Sequence, residues 1–199
     1  MMSAIVLAAG LSTRMGEVNK LLLPFRDKTV IVSVVDNIIN SGVEEVIVVT
    51  GYDAEKVQNL LKHLDTKIIY NENFKKGMTS SIQKGVSIAK GDSYMICLGD
   101  MPFITNEEYL HIKTSFENHT QSNEACICVA TYNNKKGNPV IFSSFYKNEI
   151  LKQSNPEGCK GIILSNKQNV YYVEMNNANI LRDIDTRDDY NQASICKSS

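Results

Sequence analysis

The chain has 199 residues, of which 43% are hydrophobic and 22% are charged, a composition typical of a soluble globular domain. Its 21 basic and 22 acidic residues leave a formal net charge of −1, so we expect neither nucleic acid nor a membrane as a partner. The start MMSAIVLAAG lacks the positive segment of a signal peptide, and the five cysteines form no CxxC pair. We therefore expect a cytoplasmic protein with reduced thiols.

Strands and helices are predicted to alternate along the chain. An apolar run predicts a buried first strand at residues 4–8, and residues 29–41 have helical spacing, although their β-branched side chains leave a strand as the rival interpretation. Further strands are predicted at residues 45–50, 67–70, 93–98, 125–132 and 170–174. Helices are predicted around residues 57–64, after Gly77 with Thr79 or Ser80 as the N-cap, after a capping box of Thr105 and Glu108, around 145–151 and 158–166, and from Thr186.

This alternation predicts a three-layer α/β/α architecture, with a mostly parallel sheet covered by helices on both faces. We expect one domain over residues 1–199, because a chain of this length can bury a single core. In such sheets, ligands collect beyond the carboxyl ends of the strands. The loops that follow Ala8 and Leu98 should therefore open onto the same rim.

The loop after the first strand has the composition of an anion site. Ala8, Ala9 and Gly10 allow close approach of a ligand to the backbone, whose N–H groups can converge on an anion. Arg14 and Lys20 add donors suited to phosphate. Neither GxGxxG nor GxxxxGK[ST] is present, so on the residues alone an exposed cationic loop and a phosphate-binding loop are equally favoured.

Acidic residues in two distant segments are candidates for a metal site. Asp100 follows a predicted buried strand in LGDMPFIT, a position suited to a divalent cation that also holds phosphate oxygens. Asp183 and Asp185 alternate in RDIDTRDDY, so they share a face if the segment is extended. The alternative is that these acids end a strand in solvent or favour the start of a helix.

These segments resemble the molybdenum cofactor cytidylyltransferases, which have the nucleotide-diphospho-sugar transferase (GT-A-like, Rossmann-like) fold. The resemblance rests on LAAGLSTRMG with Lys20, on GDMP, on the stretch from Gly77 to Ser81, on KKGNPVIF and on the acidic tail. It implies catalytic roles for Arg14, Lys20 and Asp100, and a Mg²⁺ site formed by Asp100 with Asp185 or Asp183. The nucleotide-binding residues that it implies are Leu7, Ala8, Ala9, Gly10, Ser12, Arg14, Lys20, Gly77, Ser81 and Asp100.

The acceptor side resembles the family less closely. Asn138 and Pro139 correspond to a block that borders the acceptor, although a Gly-Asn-Pro turn leading into a strand explains them equally well. In NPEGCKGI, Cys159 and Lys160 depart from the family pattern. Lys160 stands in for a phosphate-binding arginine without its two-pronged geometry.

The reaction that the resemblance implies is Mg²⁺-dependent transfer of CMP from CTP to the terminal phosphate of molybdopterin, with release of pyrophosphate. LAAG favours cytidine, whereas the three residues between Gly16 and Lys20 are more typical of guanylyltransferases. Guanylyl transfer to the same pterin and cytidylyl or uridylyl transfer to a sugar or polyol phosphate are therefore alternatives. A further alternative is a maturation chaperone for a molybdenum hydroxylase that binds the cofactor without turnover.

Overall fold

The computed structural model describes residues 1–16, 18–121 and 124–195. Its strands are β1 (Met2–Ala8), β2 (Pro24–Phe25), β3 (Lys28–Thr29), β4 (Glu45–Thr50), β5 (Lys67–Tyr70), β6 (Ser93–Leu98), β7 (Ile127–Tyr132), β8 (Lys135–Ser143) and β9 (Val170–Glu174). β2 and β3 form a small hairpin, and the other strands form a seven-stranded sheet in the order β5-β4-β1-β6-β8-β7-β9. Only β8 runs antiparallel to its neighbours in this sheet, within the described residues. The predicted mostly parallel sheet is confirmed.

Helices cover both faces of the sheet. They are α1 (Val30–Asn40), α2 (Ala54–Leu61), α3 (Met78–Ile88), α4 (Asn106–Thr120), α5 (Lys147–Lys152), α6 (Lys160–Ser165) and α7 (Arg187–Ile195). α1, α2 and α4 pack on one face, and α3, α5 and α6 pack on the other. In β1, Ala4 and Val6 point to the first face and Ile5 to the second, and none of the three is exposed. Burial on both sides explains the apolar residues of β1. Its polar residue, Ser3, is also buried, and its hydroxyl donates to the carboxylate of Glu45.

These helices and strands decide between the alternative interpretations of two segments. Residues 30–40 form α1, so the strand interpretation of this β-branched segment is wrong, and packing of one apolar helix face overrides propensity. The alternative interpretation of Asn138-Pro139 as a turn is also wrong, because both residues lie inside β8. The turn comes earlier, at Asn133 and Asn134, which both have positive φ and connect β7 to β8 as a tight hairpin.

The helix starts were predicted with mixed success. The capping box of Thr105 and Glu108 is present at the start of α4, as predicted. At α3 the prediction is wrong, because Gly77 is the N-cap residue and neither Thr79 nor Ser80 caps the helix. Their hydroxyls instead donate to carbonyls outside the helix, Thr79 to Asn155 and Ser80 to Asn73.

Burial explains the state of the described cysteines. Cys97, Cys126, Cys128 and Cys159 are free and buried, and Cys196 lies outside the described residues. Burial raises the pKa of Cys126 and of Cys159 to about 11 and that of Cys128 to about 12, which keeps these thiols protonated and unreactive at neutral pH. Within the described ranges, no helix has the length and apolar character that crossing a bilayer requires.

Candidate active site

A cavity of about 480 Å³ opens where β1 and β6 end. The N–H of Gly99 donates to the carbonyl of Leu7 over 3.0 Å, which joins the two loops that follow these strands. They therefore share one rim, as the strand order predicted. The lining residues are Leu7, Ala9, Gly10, Leu11, Ser12, Thr13, Arg14, Lys20, Leu21, Phe74, Lys75, Gly77, Met78, Ser81, Leu98, Asp100, Asp183 and Asp185.

The first loop is closed by short-range contacts. Ser12 adopts a left-handed conformation (φ 53°) before a single 3-10 turn at Thr13–Met15. The hydroxyl of Ser12 accepts a hydrogen bond from the N–H of Lys20 over 3.3 Å, and the side chain of Met15 is buried beneath the turn. This closure brings Arg14 and Lys20 to the same side of the cavity.

Arg14, Lys20 and two carboxylates form a continuous chain of ion pairs. The Nζ of Lys20 lies 2.5 Å from Oδ2 of Asp100 and 2.6 Å from Oδ1 of Asp185, and Nη1 of Arg14 lies 2.8 Å from Oδ2 of Asp185. The Lys20 side chain is only 12% exposed, whereas that of Arg14 is 69% exposed. Lys20 therefore neutralises the floor of the site, and Arg14 stands at its mouth.

These contacts shift the titration of the groups in opposite directions. Burial acts to lower the pKa of Lys20, but the charges and hydrogen bonds of Asp100 and Asp185 outweigh it, and the pKa is raised. Burial acts to raise the pKa of Asp185, but Lys20 and then Arg14 hold it below its usual value. Burial and the neighbouring charge of Asp185 raise the pKa of Asp183, as expected for carboxylates that share one site.

Asp100, Asp183 and Asp185 fit a divalent cation. One carboxylate oxygen from each lies within 4.8 Å of the other two, and such hard oxygens are the ligands that Mg²⁺ or Mn²⁺ prefers. Oδ1 of Asp100 is buried without a hydrogen-bond partner among the described residues, an arrangement that a metal ion would satisfy. The N–H of Ile184 donates to the backbone carbonyl of Asp100 over 2.9 Å, which holds the acidic tail beside the end of β6.

The opposite side of the cavity is built from neutral groups at the start of α3. The amide of Asn71 donates to the hydroxyls of Ser80 and Ser81 over 2.9 and 3.0 Å, so the Ser81 proton remains available to a ligand. Gly77 has φ +102°, and a Cβ at this position would lie 2.8 Å from the carbonyl oxygen of Pro156. The turn around Pro156 therefore packs directly behind this side of the cavity.

Residues 4–170 match the family described as the MobA-like NTP transferase domain. This chain belongs to that family. A molybdenum cofactor cytidylyltransferase of Escherichia coli K12 is 27% identical over 187 residues, which cover 94% of this chain and 92% of the relative. A probable molybdenum cofactor guanylyltransferase of Methanosarcina acetivorans is 30% identical over 111 residues, which cover 53% and 48% of the two chains.

Solved structures agree with the assignment to the MobA-like family. A nucleotidyl transferase from Methanothermobacter superposes with a TM-score of 0.84 at 25% identity, covering 96% of this chain and 95% of that one. A protein from Mycobacterium tuberculosis gives a TM-score of 0.85 at 25% identity and 96% coverage of both chains. The chain is therefore a nucleotidyltransferase with the GT-A-like fold.

Most of the predicted site residues of this MobA-like domain meet at the cavity. The predicted nucleotide-binding residues and the three acids line it, except for Ala8, which is fully buried in β1. The predicted acceptor residues do not line it: Asn138 and Pro139 lie within β8, and Lys160 is exposed at the start of α6, 4.0 Å from Glu157. Their role in acceptor binding stays a prediction.

The sequence analysis missed seven of the residues that line the cavity, namely Leu11, Thr13, Leu21, Phe74, Lys75, Met78 and Leu98. Phe74, Lys75 and Met78 flank the predicted Gly77, and Leu11 follows Gly10. The cluster FKKGM beside a predicted site residue was the only signal that could have indicated Lys75. Apolar side chains at Leu11 and Met78 give no signal in a sequence, because exposed apolar residues are common on any protein surface.

Proposed function

We propose that this nucleotidyltransferase moves CMP from CTP to the terminal phosphate of molybdenum cofactor and releases pyrophosphate, with Mg²⁺ as the cofactor. The observation that carries the proposal is the cluster of Arg14 and Lys20 with Asp100, Asp183 and Asp185 on the cavity wall. The choice of base and acceptor is supported by the cytidylyltransferase relative, which aligns with 94% of the chain.

The chemistry requires charge neutralisation more than proton transfer. Asp100, Asp183 and Asp185 would hold the divalent cation, which when bound neutralises charge on the phosphates. Lys20 and Arg14 stabilise the negative charge that develops on the leaving pyrophosphate. The acceptor phosphate is ionised near neutral pH and needs no general base, in accord with the absence of histidine among the described lining residues.

The ion pairs imply an exchange of partners when the substrate binds. Asp100 and Asp185 occupy two of the three N–H donors of Lys20, so Lys20 can offer more than one donor to a phosphate only by loosening these contacts. A cation on these carboxylates compensates for that loss, because it replaces the ammonium as the source of positive charge. Metal and nucleotide therefore favour each other's binding, and the reactive substrate is their complex.

The proposal is tested by pyrophosphate release from purified protein with molybdenum cofactor, Mg²⁺ and each of CTP, GTP, UTP and ATP in turn. We expect release with CTP, and none when either Mg²⁺ or the cofactor is omitted. Release of pyrophosphate with a sugar or polyol phosphate, but not with molybdenum cofactor, would show that the sugar or polyol phosphate is the acceptor. Tight binding of the cofactor without release from any nucleotide would contradict turnover altogether.

Guanylyl transfer to the same acceptor is the second candidate. It is favoured by the three residues between Gly16 and Lys20 and by the 30% identity to a probable guanylyltransferase. That relative covers about half of this chain, whereas the cytidylyltransferase covers nearly all of it. The same assay decides, because a guanylyltransferase releases pyrophosphate from GTP and not from CTP.

A further inference from the structure

Lys75 lies on the cavity wall made by the segment that precedes α3. It belongs to a single 3-10 turn, Phe74–Lys76, which is followed directly by Gly77. Lys75 lines the cavity together with Arg14 and Lys20. A third cation therefore borders the proposed triphosphate site, on an element remote in sequence from the loop that carries the other two.

The turn that carries Lys75 is fixed against the first loop. The Phe74 ring packs so closely on Gly51 that a Cβ there would lie 2.6 Å from Cγ of Phe74 and 2.9 Å from Cβ of Ala9. Within the turn, the N–H of Lys76 donates to the carbonyl of Asn73 over 2.8 Å. The turn that carries Lys75 is thus packed through Phe74 on Gly51, which lies next to Ala9.

Among the residues that the structure describes, Lys75 is the cation of the cavity wall without an ion pair. Arg14 and Lys20 are paired with Asp185 and Asp100, whereas no ion pair joins Lys75 to any residue that the structure describes. A lysine left unpaired on a cavity wall keeps its full capacity to bind an anion.

The neighbouring Lys76 behaves differently. It does not line the cavity. Its charge acts on Glu72, whose pKa is lowered first by its own backbone N–H, then by Lys84, and to a smaller degree by Lys76. The two adjacent lysines therefore lie in different surroundings. Lys76 provides a control, because it has the same charge, is also exposed and belongs to the same turn.

The balance of charges in the cavity depends on Lys75. Among the described lining residues, the cations Arg14, Lys20 and Lys75 balance the three carboxylates in number. Without Lys75 the cavity would carry a net negative charge, which opposes the entry of a phosphorylated substrate. Lys75 thus offsets the repulsion from a carboxylate cluster that is otherwise suited to a metal.

We propose that Lys75 binds a phosphate group of the substrate, as a third phosphate-binding cation beside Arg14 and Lys20. This inference rests on the proposed nucleotidyl transfer. The phosphate comes either from the nucleotide or from the acceptor, and both present the same ionised oxygens to an ammonium group. An exposed side chain on a fixed turn makes the contact without rearrangement of the backbone.

The test compares Lys75→Ala and Lys75→Arg with Lys76→Ala. In the first arm of the test, calorimetric titration with CTP and Mg²⁺, in the absence of acceptor, measures the affinity for the nucleotide. In the second arm, the KM for molybdenum cofactor reports on binding of the acceptor. We expect Lys75→Ala to weaken one of them about tenfold, which is typical of a lost charge-assisted contact. Lys75→Arg should retain most of the affinity, and Lys76→Ala should match the wild type in both arms.

The two arms identify the source of the phosphate. Weaker CTP binding assigns Lys75 to the nucleotide, whereas unchanged CTP binding with a higher acceptor KM and unchanged kcat assigns it to the acceptor. Equal behaviour of Lys75→Ala and Lys76→Ala in both arms overturns the inference while the proposed function stands. Wild-type protein that binds and turns over no nucleotide overturns both.

Discussion

The two walls of the cavity are held by different forces. One wall, here called the charged wall, consists of Arg14 and Lys20 with Asp100, Asp183 and Asp185, and ion pairs hold it together. The other, here called the neutral wall, consists of residues 77–81 with Asn155, Pro156 and Gly158 behind them. Ligand binding must exchange the contacts of the charged wall, whereas those of the neutral wall can persist.

Hydrogen bonds join the two parts of the neutral wall, and further ones connect α3 to the residues in and after α5. The hydroxyl of Thr79 donates to the carbonyl of Asn155 and accepts from the N–H of Gly158 over 3.0 Å. The amide of Gln83 donates to the carbonyls of Ile150 and Gln153 over 3.1 and 2.9 Å. The comparison teaches that substitutions in the charged wall should act first on catalysis, and substitutions in the neutral wall first on folding.

The largest expected effect comes from Lys20→Met in the charged wall. We expect kcat to fall about 10²–10³-fold, because the transition state loses a positioned cation. The substitution also leaves Asp100 without its lysine and Asp185 paired with Arg14 alone, so Mg²⁺ should raise the melting temperature of the variant more than that of the wild type. Pyrophosphate release and thermal unfolding with and without Mg²⁺ measure the two effects.

A suitable control for Lys20→Met is Lys28→Met. It removes an ion pair with Asp36 on the surface, and surface pairs contribute little. Normal turnover by Lys20→Met, or the same loss in both variants, would contradict the role of the charged wall.

Gly77→Ala in the neutral wall should reduce stability by about 2–4 kcal/mol. An alanine is strained at the positive φ of this position, and its Cβ would clash with the backbone. Gly77 has φ +102°, and its added Cβ would lie 2.8 Å from the carbonyl oxygen of Pro156. Gly10→Ala is the matched control for stability, because a Cβ at Gly10 meets nothing within 4 Å. Urea unfolding measures the stability of both variants. Equal unfolding midpoints would show that the neutral wall rearranges to accommodate the added methyl group at little cost.

Thr79→Val should cost about 1–3 kcal/mol of stability, because it leaves a part-buried carbonyl and a buried N–H without a hydrogen bond. The partners are the carbonyl of Asn155 and the N–H of Gly158. Thr79→Ser keeps the hydroxyl and should recover most of the loss. If chemical denaturation ranks the serine variant with the valine variant, the missing methyl packing, and not the hydrogen bonds, stabilises this wall.

The smallest expected effect is the pH dependence contributed by Lys20. Its pKa is raised in the folded protein, so the stability from its ion pairs is fully present below the unfolded pKa of about 10.4. That contribution is lost as the pH rises through the higher folded pKa. The difference in unfolding free energy between wild type and Lys20→Met should therefore shrink in alkaline solution. A difference that stays constant with pH would contradict the stabilising ion pairs of Lys20.

Local patterns in the sequence predicted most of the architecture, and the family resemblance named the residues of the charged wall. The apolar run of β1, the periodicity of α3 and the capping box of Thr105 and Glu108 each depend on residues close in the chain. Burial on one face imposes such periodicities whatever the rest of the fold does. The residue types of Arg14 and Asp100 alone left a solvated loop and a solvated strand end as alternatives, and the family resemblance assigned them to a site for phosphate and metal.

Contacts between distant segments were decided only by the tertiary structure. Lys20 meets Asp185 across 165 positions of the chain, and Thr79 meets Asn155 across 76. Neither pairing leaves a periodic trace, because each depends on the order of the strands and on the antiparallel insertion of β8. The same holds for Lys75, which faces the cavity while its neighbour Lys76 does not. The sequence alone thus determined which elements and charges exist, and the packing of those elements decided which charges meet.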